Sequence, residues 1–236
     1  MPYKYELRVL DTLNDVCLAA SKIFCRIVNK DEINTFIVPG GNTPIFFYQH
    51  LSKKLDYWDN INLILSDERI IDENNSASNA GMIKKNLIDV IDNKSKPYFV
   101  PIVKNYRLDQ SKQLLHSLNK NTLPLMPPKA AFLGIGNDGH TASLFPGLMN
   151  ENDGSGPFFL IKRVQDSYYR VSISQKILSQ IPLIVFLIAG KKKKNILNKV
   201  LNHDQDNNLL PVSKIIANAK DKVIILCDRE ANPINQ

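Results

Sequence analysis

The stretch that decides the fold is KAAFLGIGNDGHTASLFPG, residues 129–147. Its apolar run from Ala130 to Leu133 predicts a short buried strand. This run leads into a turn with three glycines, which also holds Asp138 and His140. Glycine permits positive φ angles and lets a ligand approach backbone N–H groups closely. The stretch therefore predicts a strand that ends in a loop built for a small polar ligand, and we interpret it as a catalytic loop.

Two other interpretations of this loop are open. Residues Gly134 to Gly139 also fit G-x-G-x-x-G, the pattern of dinucleotide-binding turns. That pattern requires a following helix and an acidic residue about 20 positions further on, and neither condition is met. A plain structural turn with no ligand is the second alternative.

The rest of the chain alternates apolar strand patterns with amphipathic helix patterns. The predicted strands are Tyr3–Leu10, Asn34–Val38, Ile61–Leu65, Tyr98–Val103, Ala130–Leu133, Tyr168–Ser174, Leu183–Ile188 and Val223–Cys227. The predicted helices are Thr12–Lys30, Ile45–Leu55, Ser78–Ile91, Asp109–Asn119, Lys191–His203 and Pro211–Ala219. Such alternation predicts one doubly wound, Rossmann-like α/β domain over residues 1–236, with a mainly parallel sheet and helices on both faces.

Composition narrows the class of partner. The chain has 236 residues, 44% of them hydrophobic and 22% charged, with a net charge of +7. The basic residues are spread along the chain without a nucleic-acid motif, so they favour small anionic ligands or simply a basic solvated surface. No targeting segment is visible, and the longest apolar run, Ile181 to Ala189, is too short for a membrane span. We expect a cytoplasmic monomer or weak homo-oligomer that binds neither nucleic acid nor membrane.

The cysteines predict neither a disulfide framework nor a metal site. There are three of them, Cys17, Cys25 and Cys227, an odd number without C-x-x-C spacing. They are interpreted as reduced residues of the core.

Three further segments put polar groups near predicted strand ends. The turn from Pro39 to Pro44 precedes a helix, with Thr43 or Asn42 as its expected cap, and is either an anion cradle or a capped turn without a ligand. Asp67, Glu68 and Arg69 follow a buried strand, where α/β proteins bind ligands, although a solvated loop fits equally. Lys191 to Lys194 begin a helix, where cations oppose the helix dipole unless an anion is near.

With these motifs in place, the chain resembles the 6-phosphogluconolactonase family, which is similar in fold to sugar-phosphate isomerases and deaminases. The segments that carry the resemblance are Gly40–Pro44, Asp67–Arg69, Ser78–Asn79, Gly134–Gly147, Arg170, Gly190–Lys193, Pro211–Ser213 and Asp228. The run D-G-H-T-A-S-L-F-P is the specific one. Two residues depart from the family pattern. Pro39 stands where the family commonly has Ser, and Asp72 stands where the family often has a Pro after the D-E-R segment.

The resemblance implies hydrolysis of 6-phospho-D-glucono-1,5-lactone in the oxidative pentose phosphate pathway. His140 would be the general base, and Asp138 or Asp67 would orient it or the water. Gly41, Thr43, Arg69, Lys193 and Arg170 would bind the phosphate. No metal or organic cofactor is implied. Because Ser143 lacks a G-x-S-x-G context, we expect direct attack by water without a covalent intermediate.

Two other functions are compatible with this resemblance. One is a glucosamine-6-phosphate isomerase/deaminase, and the other is a sugar-phosphate sensor without catalysis. Phe145 argues against the first, because the deaminases have a Glu five residues after the D-G-H histidine, and Phe neither accepts a proton nor hydrogen-bonds to an imidazole.

Overall fold

The computed structural model describes residues 5–91, 95–100, 102–103, 110–148, 156–202 and 210–234. Tyr3, Pro101, Asp109 and His203, which belong to predicted segments, lie outside this part of the chain. The described strands are β1 (Glu6–Leu10), β2 (Asn34–Val38), β3 (Ile61–Leu65), β4 (Asp67–Arg69), β5 (Tyr98–Val100), β6 (Ala130–Leu133), β7 (Phe158–Ile161), β8 (Arg170–Ile173), β9 (Leu183–Ile188) and β10 (Lys222–Asp228). The described α-helices are α1 (Leu13–Ile27), α2 (Ile45–Lys54), α3 (Asn79–Ile83), α4 (Ser111–Thr122), α5 (Gln175–Gln180), α6 (Lys194–Leu201) and α7 (Pro211–Ala217).

Seven strands form a parallel sheet in the order β1-β10-β9-β6-β2-β3-β5. Its interior strands are apolar runs because they are covered on both faces, and every residue of β2, β3 and β6 is buried. The helices pack around this sheet; α1, for example, contacts α2, β9 and β10. The predicted Rossmann-like α/β fold is confirmed, and the bounds of β2, β3, β6 and β9 are those predicted.

The sheet has a topological switch point between β2 and β6. From β2 the chain proceeds outward to β3 and β5, whereas from β6 it proceeds to β9 and β10 on the other side. Open α/β sheets bind ligands outside the carboxyl ends of the strands at such a point. An aromatic cluster packs below it: Phe24 lies 4.1 Å from Phe36 and 5.7 Å from Phe132, measured between ring centroids.

The structure also contains a second, antiparallel sheet, in the order β4-β8-β7, which the sequence patterns did not predict. The strand β4 follows β3 after a single residue, Ser66, and pairs with β8. The alternative of a solvated loop at Asp67 to Arg69 is therefore wrong, since Asp67 and Glu68 are buried. A three-residue polar strand has no periodicity of its own, and only its pairing with β8 defines it.

The predicted helices α1, α2, α4 and α7 are present, with ends that differ from the predictions by up to three residues. Three other helical segments differ more. The helix predicted from Ser78 to Ile91 ends as α3 at Ile83 and continues as a π-helical turn, Lys84–Ile88. The predicted lysine-rich start of α6 is a 3-10 turn, Lys191–Lys193. The short helix α5 was not predicted. None of the helices in the described ranges combines the length and the apolar composition that a membrane span requires.

Candidate active site

A cavity of about 330 Å³ lies at the switch point. Its walls come from the segments that follow β2, β3, β6 and β9, together with parts of β4, α3 and β8. Its lining includes the predicted site residues Gly41, Thr43, Asp67, Arg69, His140, Arg170 and Lys193. The eighth, Asp138, contacts His140. The fold thus brings all eight together, although they are spread over more than 150 positions of the chain.

The glycine loop after β6 holds a histidine–carboxylate pair. Nδ1 of His140 lies 2.5 Å from Oδ1 of Asp138, which also accepts the backbone N–H of His140 at 3.2 Å. An ionised carboxylate only accepts hydrogen bonds, so Nδ1 carries the proton and Nε2 keeps its lone pair. In the neutral imidazole, Nε2 of His140 can therefore accept a proton.

Glycines make this geometry possible at two positions. A Cβ added to Gly136 would lie 2.1 Å from the His140 ring, and Gly139 adopts a φ of +84°. The backbone also closes the turn, because Gly136 N–H donates to His140 C=O at 2.7 Å. The histidine ring can occupy its place only because residue 136 has no side chain.

Asp138 is placed to remain ionised. Burial alone would raise the pKa of its carboxyl group, but the positive charge that the His140 ring carries when protonated and the hydrogen bonds from His140 together hold that pKa below its ordinary value. The side chains of His140 and Asp138 keep 33% and 48% of their surface exposed, so the pair remains in contact with solvent.

Asp67, the other candidate partner of the histidine, makes different contacts. Its Oδ2 accepts a hydrogen bond from Ser143 Oγ at 2.6 Å and lies 4.0 Å from Nη1 of Arg170. Ser66 Oγ donates to its Oδ1 at 3.3 Å. Asp67 thus presents a buried carboxylate in the cavity wall, whereas Asp138 holds the imidazole.

The turn after β2 differs from the expected capped helix start. Pro44 occupies the N-cap position of α2 and makes no side-chain cap hydrogen bond, so the expected cap by Thr43 or Asn42 is wrong. The turn is instead bonded to α1, where Cys17 Sγ donates to Thr43 C=O at 3.3 Å. Residues Pro39 to Pro44 line the cavity, and the uncapped start of α2, whose positive dipole end favours a nearby anion, follows them directly.

Two residues that the sequence reasoning did not select are Asn79, in the cavity wall, and Glu68, which supports it. Asn79 lines the cavity, and its Oδ1 accepts the N–H of Gly41 at 3.2 Å. Glu68 is 1% exposed, and its carboxylate accepts the backbone N–H groups of Arg69, Asn79 and Ala80. The only sequence signal for them was the resemblance carried by the segments Asp67–Arg69 and Ser78–Asn79.

The lysine run contributes one side chain to the cavity. Lys193 is half-buried and lines it, whereas Lys191, Lys192 and Lys194 are exposed. Burial lowers the pKa of Lys193, and the nearby charge of Asp138 partly offsets that effect. Together with Arg69 and Arg170, Lys193 gives the described lining three cationic groups against the single carboxylate of Asp67.

Phe145 packs against the histidine ring. Its ring centroid lies 4.8 Å from that of His140, and the guanidinium carbons of Arg163 and Arg170 lie 4.1 Å and 5.6 Å from the Phe145 centroid. Arg170 is further held by Asp166, whose Oδ2 lies 2.8 Å from its Nε. Cations over an aromatic face are favourable, so this packing directs Arg170 toward the cavity. The described residues contain no group of three or more His, Cys, Asp or Glu side chains that could hold a metal ion.

Comparison with known proteins shows one family that matches most of the chain, and proteins that are similar to it in sequence and in structure. The family described as glucosamine-6-phosphate isomerases/6-phosphogluconolactonase matches residues 12–225. A 6-phosphogluconolactonase of Helicobacter pylori strain J99 is 30% identical over 92% of this chain and 95% of that protein. A crystal structure of a 6-phosphogluconolactonase from Shewanella baltica is 20% identical, with a TM-score of 0.81 over 95% of this chain and 98% of that one. A monomeric glucosamine-6-phosphate deaminase is 21% identical, with a TM-score of 0.78 over 96% and 98% of the two chains.

Proposed function

We propose, from the premise that the chain belongs to the glucosamine-6-phosphate isomerase/6-phosphogluconolactonase family, that it is a 6-phosphogluconolactonase. Its substrate is 6-phospho-D-glucono-1,5-lactone and its product 6-phosphogluconate, in the oxidative pentose phosphate pathway. The observation that carries this proposal is the His140–Asp138 pair beside a cavity that three cationic side chains line. Such a cavity fits a substrate with an ester at one end and a phosphate at the other.

In the first step, Nε2 of His140 takes a proton from water while the water oxygen attacks the lactone carbonyl carbon. Asp138 keeps the other ring nitrogen protonated and stabilises the imidazolium that forms. In the second step, the tetrahedral intermediate breaks the bond between the carbonyl carbon and the ring oxygen. The imidazolium returns its proton to the departing ring oxygen, which becomes a hydroxyl group, and His140 is again neutral.

The opposite end of the substrate is held by charge and by backbone N–H groups. Arg69, Arg170 and Lys193 supply positive charge, and the turn with Gly41 and Thr43 supplies an uncapped helix start. Fixing the phosphate orients the lactone carbonyl relative to His140, which lowers the entropic part of the barrier.

The position of Ser143 supports direct attack by water. This hydroxyl is fully buried and donates to Asp67, so it is not presented to the cavity as a nucleophile. An acyl-enzyme on Ser143 would require the loop to open.

Phe145 favours lactone hydrolysis over the isomerase/deaminase reaction. The fold does not separate the two activities, since solved structures with both names share it. Phe145 packs on His140 with a ring that cannot exchange protons, so the carboxylate relay of the deaminases has no counterpart at this position. A retained base beside a carboxylate likewise favours an enzyme over a sensor without catalysis.

The test is a lactonase assay coupled to 6-phosphogluconate dehydrogenase, with spontaneous hydrolysis subtracted. We expect rapid lactone opening and no ammonia from glucosamine 6-phosphate, even at high protein concentration. Ammonia release without acceleration of lactone opening would identify a deaminase instead. Tight binding of sugar phosphates with neither reaction would identify a sensor.

We also propose a cytoplasmic location. The three cysteines are all free, and Cys17 and Cys227 are buried, which suits a reducing compartment.

A further inference from the structure

Asn79 connects the two parts of the cavity wall that are proposed to bind phosphate. Its Oδ1 accepts the N–H of Gly41 at 3.2 Å, and Nη1 of Arg69 lies 3.4 Å from the same oxygen. Its Nδ2 donates to the backbone carbonyl of Asp67 at 2.9 Å. One amide group thus sets the distance between the turn after β2 and the arginine of β4.

Asn79 is itself held rigidly. Its backbone N–H donates to Glu68 Oε1 at 3.0 Å, and Glu68 Oε2 accepts from Ala80 N–H at 2.6 Å and from Ser78 Oγ at 3.1 Å. Burial raises the pKa of Glu68, because the ionised carboxylate is removed from water. The hydrogen bonds to Glu68 offset part of that cost and fix the start of α3 against β4.

The turn leaves room for this amide because residue 40 is glycine. A Cβ at Gly40 would lie 2.0 Å from Cγ of Asn79, so any larger residue at position 40 would displace the Asn79 side chain. The backbone of Gly40 does not require a positive φ, unlike that of Gly41, whose φ is +85°. Gly40 is therefore explained by the place that Asn79 occupies.

We propose that Asn79 is a positioning residue for phosphate recognition, which acts by holding the Gly41 turn and the Arg69 guanidinium in register. This inference rests on the proposed function, because it takes the phosphate end of the substrate to lie between these two groups. Nη1 of Arg69 also donates to the backbone carbonyl of Ala77 at 2.5 Å, so the bond to Asn79 is what ties the guanidinium to the Gly41 turn.

The first experiment measures the dissociation constant of 6-phosphogluconate by calorimetry for the wild type, Asn79→Ala, Arg69→Ala and the double variant. We expect Asn79→Ala to weaken binding about 10-fold in the wild-type background, the scale of one hydrogen bond to a charged group, and less than about 3-fold in the Arg69→Ala background. Turnover of unphosphorylated gluconolactone should change less than about 2-fold. Equal losses in both backgrounds, or no loss in either, would overturn the proposal.

A second pair of variants tests the same idea without removing the amide. Gly40→Ala should mimic Asn79→Ala, because its methyl group displaces the amide. The Gly40→Ala/Asn79→Ala double variant should be no weaker than Asn79→Ala alone, because the shortened side chain at position 79 leaves space for that methyl group. If the double variant instead shows the product of the two single losses in affinity, residue 40 acts independently of Asn79, and the proposal is contradicted. If Asn79→Ala does not fold, Gly40→Ala alone carries the test.

Asn86→Ala is the matched control. Asn86 is a half-buried asparagine in the π-helical turn after α3, and it bonds to Gln49 and Met82 rather than to the cavity wall. Its removal should leave binding unchanged. Binding and lactone hydrolysis are measured separately, so a protein that binds 6-phosphogluconate through Asn79 but opens no lactone would refute the proposed function alone. A wild type that does not bind 6-phosphogluconate would refute the positioning role.

Discussion

The two sides of the cavity are built in different ways. On one side, Asp138 and His140 are two residues apart, partly exposed, and placed by a glycine turn. On the other side, Glu68 and Asn79 are 1% and 3% exposed, and their contacts join β4, α3 and the turn after β2. The first side depends on local backbone geometry and the second on tertiary packing.

This structural difference agrees with the function proposed for each side, which is proton transfer for the first and phosphate binding for the second. Proton transfer requires water and product to reach the base, so a partly exposed pair is suitable. Orientation of a phosphate requires donors that are held in place, and the buried hydrogen bonds of Glu68 and Asn79 hold the phosphate side. The two sides should therefore respond differently to substitution, substrate and pH.

The largest effect is expected at the base. His140→Asn should lower kcat about 10²- to 10⁴-fold while 6-phosphogluconate still binds, because general-base catalysis is lost and the phosphate side is intact. Steady-state kinetics after subtraction of spontaneous hydrolysis measure this. His50→Asn, on the surface of α2, is the control and should be unaffected. Full turnover by the His140→Asn protein would remove His140 from the mechanism.

Gly136→Ala should impair the same side without replacing a catalytic side chain. The added methyl group would lie 2.1 Å from the His140 ring, so the ring must move, and kcat should fall about 10²-fold. Gly134→Ala, where a Cβ meets nothing within 4 Å, should lose far less. The two variants are compared by kcat and by circular dichroism. Equal activities would mean that the ring position is not limiting.

The phosphate side should give a smaller, substrate-dependent loss. Arg69→Ala or Lys193→Ala should weaken recognition of the phosphorylated lactone by about 1.5 to 3 kcal/mol, because charged hydrogen bonds are lost, and should matter little for unphosphorylated gluconolactone. The ratio of kcat/KM for the two substrates measures this. Lys191→Ala, at an exposed neighbour of Lys193, is the control. If both lactones lose equally, these side chains support the fold and not the ligand.

The smallest expected effect concerns stability. The contributions of Glu68 and Asp138 to the free energy of unfolding should change with pH in opposite directions. Burial raises the pKa of Glu68 above 4.5. Its contribution to folding stability is therefore present below pH 4.5 and is lost as pH rises through the higher pKa of the folded state. The pKa of Asp138 is lowered from 3.8, so its contribution is present above that value and is lost as pH falls through the lower folded pKa. For the partly exposed Asp138 we expect at most about 1 kcal/mol.

Urea unfolding of the wild type, Glu68→Gln and Asp138→Asn between acid and neutral pH tests these signs. The stability difference between wild type and Glu68→Gln should shrink or reverse as pH rises. The difference between wild type and Asp138→Asn should shrink as pH falls. Slopes of the same sign for both variants would contradict the contrast between the two sides.

The elements of the fold also differ in how well the sequence predicts them. The apolar runs of β2, β3, β6 and β9 could be bounded from sequence, because strands buried on both faces are continuous apolar segments. The strand β4 could not, because it is three polar residues whose structure comes from pairing with β8. The cap of α2 was also missed, because Pro44 takes the N-cap position and no side chain of the turn bonds back to the helix.

By itself the sequence determined the α/β class, the central strands and the glycine loop, because these features depend on periodicity and on the local pattern of glycines. The candidate site residues came from its resemblance to a known family. Only the tertiary structure decided that Asp138 holds the histidine while Asp67 is held by Ser143, 76 positions away. It alone also placed Asn79 against Gly41, 38 positions away, and Lys193, rather than its neighbours, in the cavity wall. These are choices among chemically similar side chains, and only packing brings one of them to the site and leaves the others outside it.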